Sequence, residues 1–424
     1  MNLLSRLRQV ALVGGVESLG VVAAGITGLL IVNALPKDQY AIYTFLITCM
    51  QLMLGITDLG LSNCALPIVG GRNKESGWVV GVCKQIFHRR WLMLGAAFAV
   101  VGPYVAYSYS QHGWFNAVNV IAASMMLLAL LATLRNHYAN GILVILGQIS
   151  TISRVGFIGA LTRFSFVGLV LLMPMTPLSI AGLFLAVIVT EMVIGSLYRK
   201  AFLREGVRDQ HLSVEQRKDI DSQIWKIALP LVPSAIYFQI QGAVTIFLVS
   251  LLGTTEMLAE VGAFGRLAIA LTIVDRVAGI LLFPLIARTP LGPKLASLVI
   301  RVHFVYLLAM TAVFLSGWLF PEYWIFFLGE KYRSLTPYVW MMFLSSILMN
   351  AAGFAFMTMS VRGLTAKQGF GVVVVLTAQA AYLIAVGITD LKSVLAFGIV
   401  TCAAHFSYQY LLLGIRWKSL RHAA

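Results

Sequence analysis

Charge is what this chain has least of. Only 11% of its 424 residues are Asp, Glu, Lys or Arg, against about 25% in ordinary soluble domains, and acids are the scarcer sign, 16 against 31 bases. With 59% apolar residues and a mean hydropathy of +0.88, the apolar material cannot all enter one interior, because single cores stop growing near about 250–300 residues. Hydrocarbon must cover the rest, which excludes a water-soluble globule. Cysteine is scarce too. Cys49, Cys64, Cys83 and Cys402 lie far apart without CxxC spacing, which points away from a zinc site or a disulfide framework. Also missing are HExxH, a P-loop and a GxGxxG after a strand. No cofactor, metal or catalytic residue is therefore expected, and the chain is not expected to be an enzyme. The excess of bases, +15 overall, is of the kind that orients membrane proteins rather than binding nucleic acid.

What the chain has in quantity is apolar runs. Crossing hydrocarbon takes about 20 residues, and twelve segments of that size are bounded by charges, prolines or polar turns: 10–34, 41–68, 91–110, 115–134, 150–173, 177–198, 227–251, 260–287, 297–320, 336–360, 369–388 and 393–415. The fifth is preceded by residues expected to lie at the interface, since Gly141–Pro174 is too long for one span and too short for two. The first carries no small-residue cleavage site and is expected to be retained. If the N-terminus is inside, the inner connections hold 23 cations and the outer ones 4. That asymmetry predicts a multi-pass protein with both termini in the cytoplasm.

The longest polar stretch, Arg199–Lys226, falls almost midway. It divides the chain into an N-terminal lobe (1–198), a cytoplasmic linker (199–226) and a C-terminal lobe (227–424). A faint internal echo supports the division: spans two and eight each end at a proline followed by a basic residue, Pro67 with Arg72 and Pro284 with Arg288. The expectation is an all-α polytopic membrane protein of about 12 transmembrane helices, in two six-helix lobes related by a parallel internal repeat. A linker of 28 residues cannot fold into a sugar-nucleotide-using domain. The longest outer connection, Pro321–Thr336, lacks the large outer loop expected of a glycan polymerase.

The ions read as lying inside the spans are Glu17, Asp58, Arg154, Arg163, Glu191, Arg266, Asp275 and Arg276. Each is costly in hydrocarbon unless it faces protein or water, so each is a candidate. Arg266 and Arg276 point about 80° apart on one helix and could flank one cavity, while Asp275 points about 180° from Arg266. Arg154 and Arg163 also fall on opposite faces, with Arg163 nearer mid-span. Arg266, Arg276 and Arg163 are the candidate cavity cations. Glu17, Asp58 and Asp275 are the candidates for coupling to H⁺ or Na⁺, whereas Glu191 is read as a structural residue near the inner end of its span. Pro230 and Pro233 suggest a kink near the start of span seven. Tyr237, Gln239 and Gln241 beyond them suit either sugar hydroxyls or helix-to-helix hydrogen bonds.

Several motifs run through the chain in a characteristic order: Leu35-Pro36 with Tyr40 and Tyr43, Asp58-Leu-Gly-Leu61, Leu229-Pro230, Val261-Gly-Ala-Phe-Gly-Arg266, Phe283-Pro284-Leu-Ile-Ala287 and Leu328-Gly-Glu-Lys-Tyr332. In these the chain resembles the bacterial polysaccharide flippases of the multidrug, oligosaccharidyl-lipid and polysaccharide exporter superfamily. It departs from them at Asn33 and Ala34, where many relatives carry an arginine. The resemblance implies alternating access and an undecaprenyl pyrophosphate-linked glycan moved from the cytoplasmic to the periplasmic leaflet of the inner membrane. It also implies a cationic cavity, mapped onto Arg266, Arg163 and Arg276. Expected partners are the polyprenyl-linked glycan, membrane lipid, and the polymerase and chain-length machinery of surface polysaccharide synthesis. An ion-coupled exporter of cationic drugs and a membrane-embedded glycan polymerase are the alternatives.

Overall fold

The computed structural model describes residues 3–417 apart from 73, 175, 177, 208–211, 230–231, 269–281, 283–285, 287–288, 291, 361, 363 and 365–366, with side chains from Leu19 onward except at 71 and 234. The described residues are overwhelmingly helical, with no strand among them. Fifteen helices follow one another: α1 (Leu3–Ala34), α2 (Lys37–Asp58), the short α3 (Ala65–Val69), α4 (Ser76–Gln111), α5 (Ala117–Ile145), α6 (Ile149–Leu172), α7 (Ser179–Arg204), α8 (Val214–Ala228), α9 (Val232–Leu252), α10 (255–268), α11 (Pro293–Leu319), α12 (Pro321–Leu328), α13 (Val339–Ser360), α14 (Phe370–Ala385) and α15 (Leu391–Ile415). Among the described residues nine helical stretches are long and apolar enough to cross a membrane, and two shorter apolar helices, Leu19–Ala34 and Phe370–Ala385, accompany them. Each expected span coincides with one of these helices or, for span eight, begins in α10.

Two boundaries differ from the sequence reading. Span two is broken where Leu59 (φ 35°) and Gly60 (φ 85°) take left-handed backbone conformations. The Asp58 carboxylate accepts from the Ser62 backbone N–H (3.1 Å) and from its hydroxyl, which starts a 3-10 turn over Leu61–Cys64. Residues 135–145, expected to be a connection and an interfacial stretch, instead continue α5. That helix stops only at Gly147, whose φ of +74° suits glycine,. Pro233 stands in the first turn of α9, where a missing N–H disturbs no helical bond,. It need not kink the span. Pro230 lies outside the described residues.

By internal packing the chain forms two compact units, Met1–Phe247 and Leu248–Ala424. In the first, α5 packs on α7, α7 on α6, α6 on α1, and α2 on α4. In the second, α13 packs on α15, α15 on α14, and α11 on α13. The fourth and sixth expected spans, α5 and α7, are thus close partners, as are the tenth and twelfth, α13 and α15; the fifth and sixth, and the eleventh and twelfth, pair likewise. The Arg199–Lys226 stretch is largely helical: α7 runs to Arg204, and α8 opens on a capping box between Ser213 and Gln216.

Amphipathic α8 turns Ile220, Ile224 and Ala228 inward. They meet Cys64 and Val69 beyond α2, Ile86 of α4 and Ile145 of α5 in one buried cluster. Three connections that the cation count placed on the same side therefore pack against one another. At the opposite end of α4 and α5, Asn116 caps α5 by accepting from the Asn119 N–H (2.8 Å), and Asn119 donates to the Trp114 carbonyl (3.0 Å). Trp114 sits edge-on to Phe45 and Tyr109.

Candidate functional site

Among the described side chains of the first unit, two groups of charges stand out. At the broken end of α2, the buried Arg90 guanidinium reaches across from α4, its Nη1 3.7 Å from Asp58 Oδ1 and 3.5 Å from the Ser62 hydroxyl. Asp58, an ion-coupling candidate, is therefore engaged by a backbone turn and an arginine. The sequence reading had placed Arg90 in a connection, because it ends a run of cations; α4 in fact begins fourteen residues earlier, at Ser76.

The second group centres on Glu191, near the middle of α7. Asn136 of α5 donates from its Nδ2 to both the Glu191 carboxylate (2.7 Å) and the Glu191 backbone carbonyl (2.7 Å). The Thr133 hydroxyl lies alongside, and the Arg163 guanidinium of α6 acts electrostatically on the same carboxylate. Gly195 permits the close approach: a Cβ there would stand 3.0 Å from Asn136 Oδ1. Arg163 of α6 is half-buried and stands near this α5–α7 pair, close enough to act on the carboxylate. Glu191, read from the sequence as a structural residue, is the hub of that pair. Arg154, by contrast, is exposed near the start of α6.

Arg266 lies on α10, half-buried, beside the buried side chains of Phe264 and Leu267. Six residues earlier, Glu260 is 8% exposed; it is a buried carboxylate at the very edge of span eight, where sequence alone gives no sign of burial. Arg276 and Asp275 lie outside the described residues, as does the side chain of Glu17. Gln239 proves to be helix-to-helix packing. Its amide fills the notch over Gly55 of α2, where a Cβ would fall 1.9 Å from Oε1.

The second unit has buried polar side chains of its own. His303 of α11 hydrogen-bonds through Nδ1 to the Val299 carbonyl (2.9 Å) and meets Phe354 edge-on. Gln379 donates to the Thr401 hydroxyl (3.2 Å), and Gln409 to Gln368 (2.9 Å). Among the described residues no cluster of three or more His, Cys, Asp or Glu side chains is placed to hold a metal ion.

No protein-family model matches the sequence, and no curated protein matches it. Solved structures do match along nearly the whole chain. A multidrug resistance MATE family transporter of the MOP superfamily, in its inward-facing conformation, is 15% identical, with a TM-score of 0.68 over 95% of each chain. A MOP superfamily transporter from Pyrococcus furiosus, described as having a binding pocket of reverse polarity that suggests a different function, is 13% identical, with a TM-score of 0.57 over 98% of this chain and 96% of that one. The eukaryotic MATE transporter AtDTX14 is also 13% identical, with a TM-score of 0.56 over 98% and 97%. At such identities the likeness is one of architecture, and this multi-pass chain has the fold of the MOP superfamily transporters.

Proposed function

We propose that the protein is an alternating-access flippase that carries polyprenyl pyrophosphate-linked oligosaccharide units from the cytoplasmic to the periplasmic leaflet of a bacterial inner membrane, with both termini cytoplasmic. The observation that carries this reading is the state of the intramembrane acids. Among the described side chains of the first unit, Asp58 is paired with Arg90, and Glu191 is held by Asn136 and faces the charge of Arg163. Both carboxylates are already engaged, which disfavours them as the counter-ions of a cationic drug. A glycan instead needs an enclosed wet path, because each unpaired hydroxyl costs about 4–8 kcal/mol in an alkane-like phase. Its pyrophosphate needs guanidinium groups that stay charged and bind phosphate bidentately. Arg266, Arg276 and Arg163 are assigned that role, and the polyprenyl tail stays in lipid. Glu17, Asp58 and Asp275 are the residues through which H⁺ or Na⁺ would drive the cycle, Asp58 by giving up its pair with Arg90.

The multidrug description of the inward-facing neighbour favours a second reading, ion-coupled export of cationic drugs. A deletion strain separates the two. Loss of surface polysaccharide, with lipid-linked repeat units accumulating on the inner leaflet, supports the flippase. Drug hypersensitivity with normal surface polysaccharide refutes it.

A further inference from the structure

Between α4 and α8 lies a cavity of about 380 Å³. Its polar wall is made by Lys84, Gln85, His88 and Arg89 of α4 with Arg217 and Asp221 of α8. The α4 members recur at helical spacing on one face, while Val82, Cys83, Ile86 and Arg90 on the other faces are buried. The floor is Gly81 with Leu212 seated on it; a Cβ on Gly81 would stand 2.9 Å from Leu212 Cγ. The capping box of Ser213 and Gln216 then sets the direction of α8. Arg89 is held in a two-point pair with Asp221, Nη2 to Oδ2 at 2.7 Å and Nε to Oδ1 at 3.3 Å. Among the described residues the lining thus carries three cations and one carboxylate, with a histidine and an amide beside them.

The depth of this pocket narrows what it could receive. From Trp91 to Gln111, α4 carries no charge, a length of about 30 Å, which fills the hydrocarbon layer. Trp91 and Leu92, both exposed, mark the boundary, as interfacial aromatics do. Lys84 to Arg89 therefore lie about 3–10 Å beyond it by helical rise, within the headgroup layer. Lipid phosphates occupy that layer, and soluble phosphates can reach it.

We propose that this pocket binds a phosphate group, held by Lys84 and Arg217 with Arg89 orienting the site, and that its occupant clamps α8 to α4. The assignment is independent of what the protein transports.

The test uses the full-length protein in nanodiscs and two probes. Inorganic pyrophosphate, titrated calorimetrically in phosphatidylcholine discs, reports the soluble source. Retention of phosphatidylglycerol from a phosphatidylglycerol–phosphatidylcholine mixture, counted by native mass spectrometry, reports the lipid source. Binding of either probe is expected, weakened about tenfold or more by Lys84→Gln combined with Arg217→Gln, since each replaces a charge-assisted hydrogen bond. Lys84 and Arg217 are exposed, so the double variant should fold. Asp221→Asn removes the opposing charge and should tighten binding several-fold. Lipid binding alone would identify a headgroup, and pyrophosphate binding alone a soluble phosphate compound. Binding of neither probe, or binding that the double variant leaves unchanged, overturns the proposal.

Discussion

Replacing Asn136 with alanine should weaken the first unit more than any other single polar change on α5. The amide makes two 2.7 Å bonds to Glu191, one to its carboxylate and one to its carbonyl, and it is 7% exposed. A hydrogen bond to a charged group contributes about 1.5–3 kcal/mol in a protein interior. Inside membranes, measured interhelical bonds average nearer about 0.6 kcal/mol, because the reference state also finds partners. The sum places Asn136→Ala between about 1 and 3 kcal/mol. Denaturant titration of the purified protein, followed by helix signal, gives the difference. Glu191→Gln supplies the check: it keeps an acceptor for Asn136 but removes the charge that Arg163 faces. If the three side chains form one network, Asn136→Ala combined with Glu191→Gln should cost less than the sum of the single changes by about 0.5 kcal/mol or more. Additive single effects, or a loss below about 0.5 kcal/mol for Asn136→Ala, would show that the cluster contributes nothing as a unit.

Gly317→Ala should destabilise the second unit by about 1–3 kcal/mol, since a Cβ there falls 2.3 Å from the Phe343 ring; Phe343→Leu in the same chain should restore the melting temperature. At Gly55 the obstruction is the flexible end of Gln239, so Gly55→Ala should cost less, and Gln239→Ala should relieve most of it. Arg90→Met strands the Asp58 carboxylate beside the α2 break and should lower thermal stability, with Asp58→Asn partly compensating; equal stability of Arg90→Met and wild type would contradict the pairing. Asp390 caps α15 by accepting from the Ser393 N–H (2.8 Å), and that bond holds its carboxyl below the usual carboxylate range. The stabilisation is therefore present above the unfolded value near pH ~4 and is lost as pH falls through the lower folded value. Asp390→Ala should remove about 1 kcal/mol at neutral pH and flatten the acid limb of stability measured between pH 5 and 2.

Span positions were legible because hydrocarbon allows few alternatives: about 20 uncharged residues become a helix whatever their neighbours. The grouping of three connections around α8 was foreshadowed by their cations alone. The break after Asp58 was signalled by Asp58-Leu-Gly-Leu61, whose aspartate and glycine suit a turn, but its role emerged only with Arg90 on another helix. The partners of Glu191 were hidden for the same reason, since angles counted along one helix say nothing about the facing one. The helix α8 could have been read from Ser213-x-x-Gln216, a capping-box spacing hidden in a segment judged by its charge. The residues that carried the resemblance are mostly structural. Leu35, Tyr40, Tyr43, Leu328 and Tyr332 are buried, and Gly329 (φ 91°) makes the turn before the 3-10 segment that leads into α13. Motifs of that kind specify a fold and leave the cargo to other positions.

Translocation in proteoliposomes tests the central claim most directly. A fluorescent polyprenyl pyrophosphate-linked oligosaccharide is placed in the lumenal or external leaflet, and its appearance in the opposite leaflet is followed by quenching, for wild type and for Arg266→Gln. Movement by wild type, cut about tenfold or more in a variant that still inserts and melts normally, is the predicted result. Wild-type liposomes that leave the glycan in place while exchanging a cationic drug for ions would contradict it.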